Sequence, residues 1–329
     1  MRAPPRAGGG GLAALDEWRT AEATGDRLGA AAARARLLRH SAGYHTQVST
    51  DPVRLAAWEA ALRCQIKPGT LALEIGTGCG ILAMLAARAG ATVIACESDP
   101  VLAAIGAETV ARNGLADRIT ILPKRLEDLR IPEDLPRPAD LLFGDVFADD
   151  LVGFDPFAIF QAAIPLVAAD AVRIPSRAAL VGALAQVHEW DRLMPGQVAE
   201  FDLSPLRAVA PVWDRLADYG GEAALRSEPV CLVEADLSGA LPDRKGSVVH
   251  VLPSRGGPIN GLALWLRLEL APGIVLEARP GSNPAGYYAQ AGFVPFDAGL
   301  ETVPGQAIGV ELAWAGRKLS AALSGTAAG

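Results

Sequence analysis

Apolar and polar positions divide the chain into three regimes. Residues 12 to 40 are alanine-rich with apolar positions at helical spacing, interrupted at Thr24-Gly25, which predicts two helices. A further helix is predicted over residues 51 to 64, because Thr50 or Asp51 can cap it and Pro52 suits its first turn. From there to about residue 180, short apolar runs alternate with helical stretches. Leu71-Ala-Leu-Glu-Ile75, Val93-Ile-Ala-Cys96, Ile119-Thr-Ile-Leu122 and Leu141-Leu-Phe143 read as strands, and residues 81 to 89 and 156 to 168 as helices. That alternation predicts a doubly wound parallel sheet. Beyond Pro175 the spacing changes to period two, in Val230–Asp236, Ser247–Leu252 and Leu262–Leu270, and predicts antiparallel strands.

The most informative stretch is the first strand with the turn that follows it. Gly76, Gly78 and Gly80 give a backbone that a ligand can approach without interference from Cβ atoms. Glu97 ends the next strand, where a carboxylate can accept from both hydroxyls of a ribose. Glycines alone are also compatible with a tight strand-to-helix connection, and the carboxylate argues for a nucleoside. A dinucleotide would require Gly-x-Gly-x-x-Gly, so that pyrophosphate meets a helix N-terminus, and here the spacing is Gly-x-Gly-x-Gly.

Leu73-Glu-Ile-Gly-Thr-Gly-Cys-Gly80 resembles the first motif of class I S-adenosylmethionine-dependent methyltransferases, whose turn curves around a methionine moiety that carries no phosphate. Such a sheet followed by a β-rich region resembles the protein arginine methyltransferase family. The resemblance implies a Rossmann-like α/β sheet, then an antiparallel β-barrel-like domain, with a helical segment at the N-terminus. It covers roughly residues 40 to 320 and implies S-adenosylmethionine as cofactor. His45, Asp51 and Arg54 keep the family's spacing on the segment that closes over the cofactor. Arg54 would clamp the methionine carboxylate, a task for a planar, permanently charged fork, whereas an isolated arginine would read as a solvated helix residue. Glu74, Gly76, Thr77, Gly78 and Gly80 fall on the turn motif, Glu97 and Ser98 on the ribose side, and Leu126 and Glu127 on the adenine segment. A surface carboxylate is the competing reading of Glu127.

The family's acceptor chemistry uses two glutamates on the loop after the fourth strand. Here that loop is Gly144-Asp-Val-Phe-Ala-Asp-Asp-Leu-Val-Gly-Phe-Asp155, which puts Asp145 at the first glutamate and Phe154, with Asp155 beside it, at the second. A guanidinium does not lose its proton at neutral pH, so carboxylates are needed to orient it, and Asp149, Asp150 and Asp155 are candidates for the second. A solvated acidic connection is the alternative. Where the family has a Thr-His-Trp-Lys-Gln wall, counting from Pro284 gives Gly286, Tyr287, Tyr288, Ala289 and Gln290. Tyr288 could stack on a flat cation, no imidazole stands at Tyr287, and packing of a β-turn is the alternative role for both tyrosines. Asn260-Gly-Leu-Ala-Leu-Trp265 resembles a second-domain strand, and a segment near residues 205 to 228 with Trp213 and Tyr219 stands where the family inserts a dimerisation arm. The resemblance therefore implies a homodimer that methylates an arginine guanidinium in a protein or peptide. A methyltransferase acting on a small metabolite or natural-product intermediate is the alternative, and an inactive cofactor-binding scaffold is a second.

Composition sets the frame for this reading. The chain has 329 residues, half of them apolar, enough for two packed domains or one domain with a large appendage. The expected organisation is a disordered tail over residues 1 to 11, helices to 50, a cofactor domain over 51 to 175 and a substrate domain over 176 to 322. The start has no signal-peptide core and no run of eighteen apolar residues occurs, so a cytoplasmic location without membrane association is expected. Cys64, Cys79, Cys96 and Cys231 have no metal-ligand spacing and lie in or beside apolar runs, which predicts reduced core thiols, no disulfide and no metal. A net charge of -7 without a basic stripe argues against nucleic acid as a partner and favours a cationic substrate or partner.

Overall fold

The computed structural model describes residues 10–40, 44–147, 151–188, 190, 196–209, 214–215, 224–239, 243–281 and 291–324. In chain order the helices and strands begin with α1 (Gly10–Thr24), α2 (Arg27–His40), α3 (His45–Val48) and α4 (Pro52–Gln65). An alternating region follows: β1 (Leu71–Ile75), α5 (Ile81–Arg88), β2 (Thr92–Cys96), α6 (Pro100–Arg112), β3 (Ile119–Leu122), β4 (Ala139–Phe143), α7 (Pro156–Ala163) and β5 (Val167–Ile174). Ten strands then follow among the described residues: β6 (Arg177–Gln186), β7 (Gln197–Val198), β8 (Phe201–Asp202), β9 (Asp214–Arg215), β10 (Ala224–Leu225), β11 (Val230–Asp236), β12 (Lys245–Ala271), β13 (Ile274–Glu277), β14 (Gly292–Ala315) and β15 (Lys318–Leu323). The contacts divide into two units, one comprising the chain to Val146 with Ile159–Ser176 and Leu270–Ile274, the other Phe147–Ala158, Arg177–Glu269 and the chain from Val275.

The first unit is built on a parallel sheet in the order β3-β2-β1-β4-β5. Every residue of β1 is buried, as a central strand with both faces covered requires. Strand order reverses between β1 and β4, and in doubly wound sheets ligands sit beyond the C-terminal strand ends at such a reversal. Helices α1 and α2 pack on each other, and α1 is tied to α6 by Arg19 and Glu108, 2.5 Å apart. The expected disordered tail falls outside the described residues up to residue 9, while Gly10 and Gly11 already belong to α1. Asp51 caps α4, its carboxylate accepting from the backbone N–H of Val53 at 3.0 Å and of Arg54 at 3.1 Å. Arg54, Trp58, Ala61 and Leu62 form the buried face of that helix.

The helix expected over residues 156 to 168 ends at Ala163, passes through a short 3₁₀ turn, Ile164–Leu166, and becomes strand β5. Pro165 is the reason, since it has no N–H to donate and its ring obstructs a continuing helix. β5 is an edge strand with mixed burial, so it lacks the continuous apolar run of its neighbours.

The second unit is an antiparallel sheet ordered β10-β6-β12-β14-β15, with β11 on β6, β13 on β12 and β9 on β14. The two period-two runs expected at Ser247–Leu252 and Leu262–Leu270 are parts of one strand of 27 residues, β12. Pro253, Gly256, Gly257 and Pro258 between them resemble a turn in sequence but lie within β12, on a paired stretch bounded by two irregularities of the β12–β14 register, at Pro253/Arg255 and Ile259/Gly261. The core of this unit gathers Val181, Trp190, Trp265 and Phe293, with Trp190 edge-on to Phe293 at 5.4 Å. Asn260 braces it, its side chain accepting from Val187 N at 2.9 Å and donating to Val187 O at 2.8 Å. Trp213 and Tyr219 of the expected dimerisation arm lie outside the described residues, and the strands β9 and β10 within the arm pair with β14 and β6.

The expectation of core thiols is corrected for three of four cysteines: Cys96 is buried, Cys79 is half-buried, and Cys64 and Cys231 are exposed. All four are free. Cys64 follows the buried Leu62 on the outer side of α4, and Cys231 faces outward in the alternation of β11, so an apolar neighbourhood in sequence did not mean burial. Among the described residues no helix is long and apolar enough to cross a membrane.

Candidate active site

The C-terminal ends of β1, β2 and β4 each deliver one part of a site, all within the first unit. After β1 the chain turns through Gly76, Gly78 and Gly80 with φ of 67°, 56° and 84°, values that L-residues with a Cβ rarely adopt. The turn is anchored to β2, because Gly76 N and Thr77 N donate to Cys96 O at 2.9 and 3.2 Å. Below it Glu74 is buried and accepts from the Thr77 hydroxyl at 2.6 Å. Burial pushes the Glu74 carboxyl up to about 8, against the pull of the Thr77 donor and the Arg54 charge.

Glu97 stands at the end of β2 and is 7% exposed. Its two oxygens accept from Gly78 N at 3.0 Å and Asp99 N at 2.9 Å, so it joins the glycine turn to the start of α6. Burial raises its pKa, and those backbone donors oppose the rise. These backbone donors do not exhaust a carboxylate with about four acceptor positions.

The opposite wall comes from α3 and α4. His45 lies beside the turn, 3.7 Å from the place a Cβ on Gly78 would take, and its ring stacks with Tyr44 at 4.3 Å between centroids. Burial lowers the His45 pKa, opposed by Asp99, so the imidazole is neutral at neutral pH. Ser49 Oγ meets Cys79 Sγ at 3.1 Å, which ties this segment to the turn. The capped start of α4 presents Arg54, whose Nε donates to Asp145 Oδ2 at 2.6 Å and whose Nη1 donates to Val48 O at 3.4 Å. Asp145 follows β4, and Val146 beside it comes within 3.2 Å of the place a Cβ on Gly76 would take. His45, Arg54, Glu74, Gly76, Thr77, Gly78, Gly80, Glu97 and Asp145 are thereby brought together.

The chain aligns with the Arginine N(omega)-methyltransferase of Streptomyces achromogenes subsp. streptozoticus at 32% identity over 279 residues, covering 82% of this chain and 76% of that protein. The chain belongs to the arginine N-methyltransferase family. It is accordingly an S-adenosylmethionine-dependent methyltransferase with S-adenosylmethionine as its cofactor. The family described as Ribosomal protein L11 methyltransferase (PrmA) matches residues 54–163, the stretch from Arg54 to the end of α7. Protein arginine N-methyltransferase 7 of Drosophila grimshawi is 36% identical over 263 residues, which is 69% of this chain and 37% of the fly protein. The Drosophila ananassae protein of that name is matched over 20% of its length, so the chain spans much less than these fly relatives. Two solved structures share the fold of this arginine N-methyltransferase. The Trypanosoma brucei PRMT1 enzyme-prozyme heterotetrameric complex with AdoHcy has a TM-score of 0.74 at 18% identity, over 85% of this chain and 91% of that one. Arabidopsis thaliana Protein Arginine Methyltransferase 10 has a TM-score of 0.65 at 17% identity, over 83% and 87%.

Not every expected site residue of this arginine N-methyltransferase joins the group around Arg54. Ser98 is exposed beside Glu97. Leu126 is buried and Glu127 exposed on the 3₁₀ turn after β3, where Glu127 pairs with Arg125 at 3.3 Å. Asp155 belongs to the second unit and pairs there with Arg244. Asp149, Asp150, Tyr287 and Tyr288 lie outside the described residues. Sequence reasoning missed Gly106 on α6, where a Cβ would stand 2.8 Å from the Gly78 carbonyl oxygen and 3.0 Å from Ile121 Cδ1. A glycine inside a helix costs about 1 kcal/mol unless something approaches closely, and that cost was the available signal.

Proposed function

We propose that this enzyme transfers a methyl group to the terminal guanidinium nitrogen of an arginine in a protein or peptide. The buried Arg54–Asp145 pair beside the glycine turn carries the reading, because it joins a carboxylate-binding cation to an acceptor-orienting carboxylate in one contact. The residues present fit the cofactor. The turn offers backbone without Cβ atoms, Glu97 is a buried carboxylate that would accept from ribose hydroxyls, Arg54 would answer a methionine carboxylate, and Leu126 and Glu127 would border adenine.

When bound, S-adenosylmethionine supplies a methyl group already activated by its sulfonium, so the chain's own task is to place the nucleophile. Asp145, held by Arg54, orients the acceptor guanidinium with a neighbouring aspartate of the acidic loop and accepts hydrogen bonds from its outer nitrogens. Tyr288 would stack on the flat acceptor cation. Residues 51–175 serve as the cofactor domain and 176–322 as the substrate domain. The enzyme works as a cytoplasmic homodimer joined through the segment near residues 205 to 228.

Incubation with methyl-deuterated S-adenosylmethionine and an arginine-rich peptide pool, read by mass spectrometry, tests the acceptor. Deuterated methyl on peptide arginine is expected. Label on free arginine or another metabolite alone, or on nothing, would refute it. Asp145→Asn should lower kcat by roughly a hundredfold or more.

A further inference from the structure

The end of the acidic loop is held from one side by two arginines of the second unit. Arg244 grips both oxygens of Asp155: Nε donates to Oδ1 at 3.2 Å and Nη2 donates to Oδ2. Arg317 Nε donates to the carbonyl of Gly153 at 2.5 Å. The segments carrying these arginines are fastened to each other, because Gly316 N donates to Arg244 O at 2.7 Å and Trp314 Nε1 donates to Asp243 O at 3.0 Å. The start of β12 and the β14–β15 turn therefore form one base for the loop.

The backbone above that base is in a conformation it would not hold alone. Leu151 and Asp155 have φ of 65° and 57°, the left-handed region that non-glycine residues rarely enter unless their surroundings enforce it. Leu151 is buried and Asp155 N donates to Val152 O at 2.8 Å, which folds residues 151 to 155 into a compact turn. The Asp155 side chain is 14% exposed. A carboxylate already matched by a two-pronged resident guanidinium has its charge neutralised and its direction fixed.

We propose that Asp155 and Arg244 are a positioning pair for methyl transfer, fixing Gly153 and Phe154 in the acceptor loop, and that Asp155 does not itself hold the acceptor. The inference rests on the arginine-methylating reading, with Asp145 as the carboxylate that contacts the guanidinium. Asp155→Asn, Arg244→Gln and the double variant test it in the full-length enzyme. Each single variant should raise the acceptor KM about tenfold while kcat changes less, and the double variant should be no worse than either, since both break one contact. Affinity for S-adenosylhomocysteine should stay within about twofold in all three. Hydrogen exchange at the amides of residues 151–155 should accelerate about tenfold or more while β1 to β4 remain protected. A thousandfold loss of kcat in Asp155→Asn, with Arg244→Gln unchanged, would make Asp155 an acceptor-binding carboxylate and overturn the proposal. Unchanged exchange at 151–155 in Arg244→Gln would overturn it as well, and that readout holds even if no arginine is methylated.

Discussion

Arg54 and Asp145 meet across 91 positions of sequence, each with about one-twentieth of its side chain exposed. Removing one member leaves the other as a buried charge, which costs about 3–5 kcal/mol in comparable pairs. Arg54→Ala and Asp145→Ala are each expected to lower the unfolding free energy by about that much in urea titrations, and the double variant by less than the sum. Strict additivity would show that the pair is not coupled. Glu74 gives a pH prediction. Its carboxyl has an ordinary value near 4.5 in the unfolded chain and about 8 in the fold, so the folded protein binds more protons between those values. Its stabilising contribution is complete below about pH 4.5 and lost as pH rises to about 8; Glu97 shifts in the same direction. Unfolding free energy should fall across that window, and Glu74→Gln should flatten the slope. The residues of the turn and Arg54 were legible in sequence, because a motif fixes their spacing. The partner of Arg54 and the backbone donors to Glu97 were not, because they depend on which strand ends the sheet sets side by side.

At the scale of elements, α6 approaches the glycine turn through Gly106. Glycine to alanine inside a helix normally stabilises by about 1 kcal/mol, but here the added Cβ would press on the Gly78 carbonyl oxygen. Gly106→Ala should therefore lower thermal stability and weaken S-adenosylhomocysteine binding about tenfold or more, measured by thermal shift and calorimetry. A more stable variant with unchanged affinity would remove α6 from the account. Elements specified locally were readable: Asp51 and Pro52 start α4, and β3 occupies the predicted Ile119–Leu122. Elements shaped by long-range pairing were not. β12 spans prolines and glycines that resemble a turn because β14 pairs with it along that stretch, and α7 stops at Ala163, ahead of Pro165, after which the chain enters the edge of the sheet.

At the scale of the molecule, a doubly wound parallel sheet and an antiparallel sheet account for the change of hydrophobic spacing beyond Pro175, although β6 in the second sheet is buried almost throughout. The proposed homodimer predicts a sedimentation mass of about twice the 34.1 kDa of one chain, and a single-chain mass at micromolar concentration would contradict it. The central claim is that the glycine turn, Glu97 and Arg54 grip S-adenosylmethionine. Calorimetric titration with S-adenosylhomocysteine tests it most directly. The account predicts one molecule bound per chain by the wild-type protein and at least about tenfold weaker binding by Arg54→Ala, which loses the charged fork. No heat of binding from the wild-type protein, or equal affinity in the variant, would contradict it.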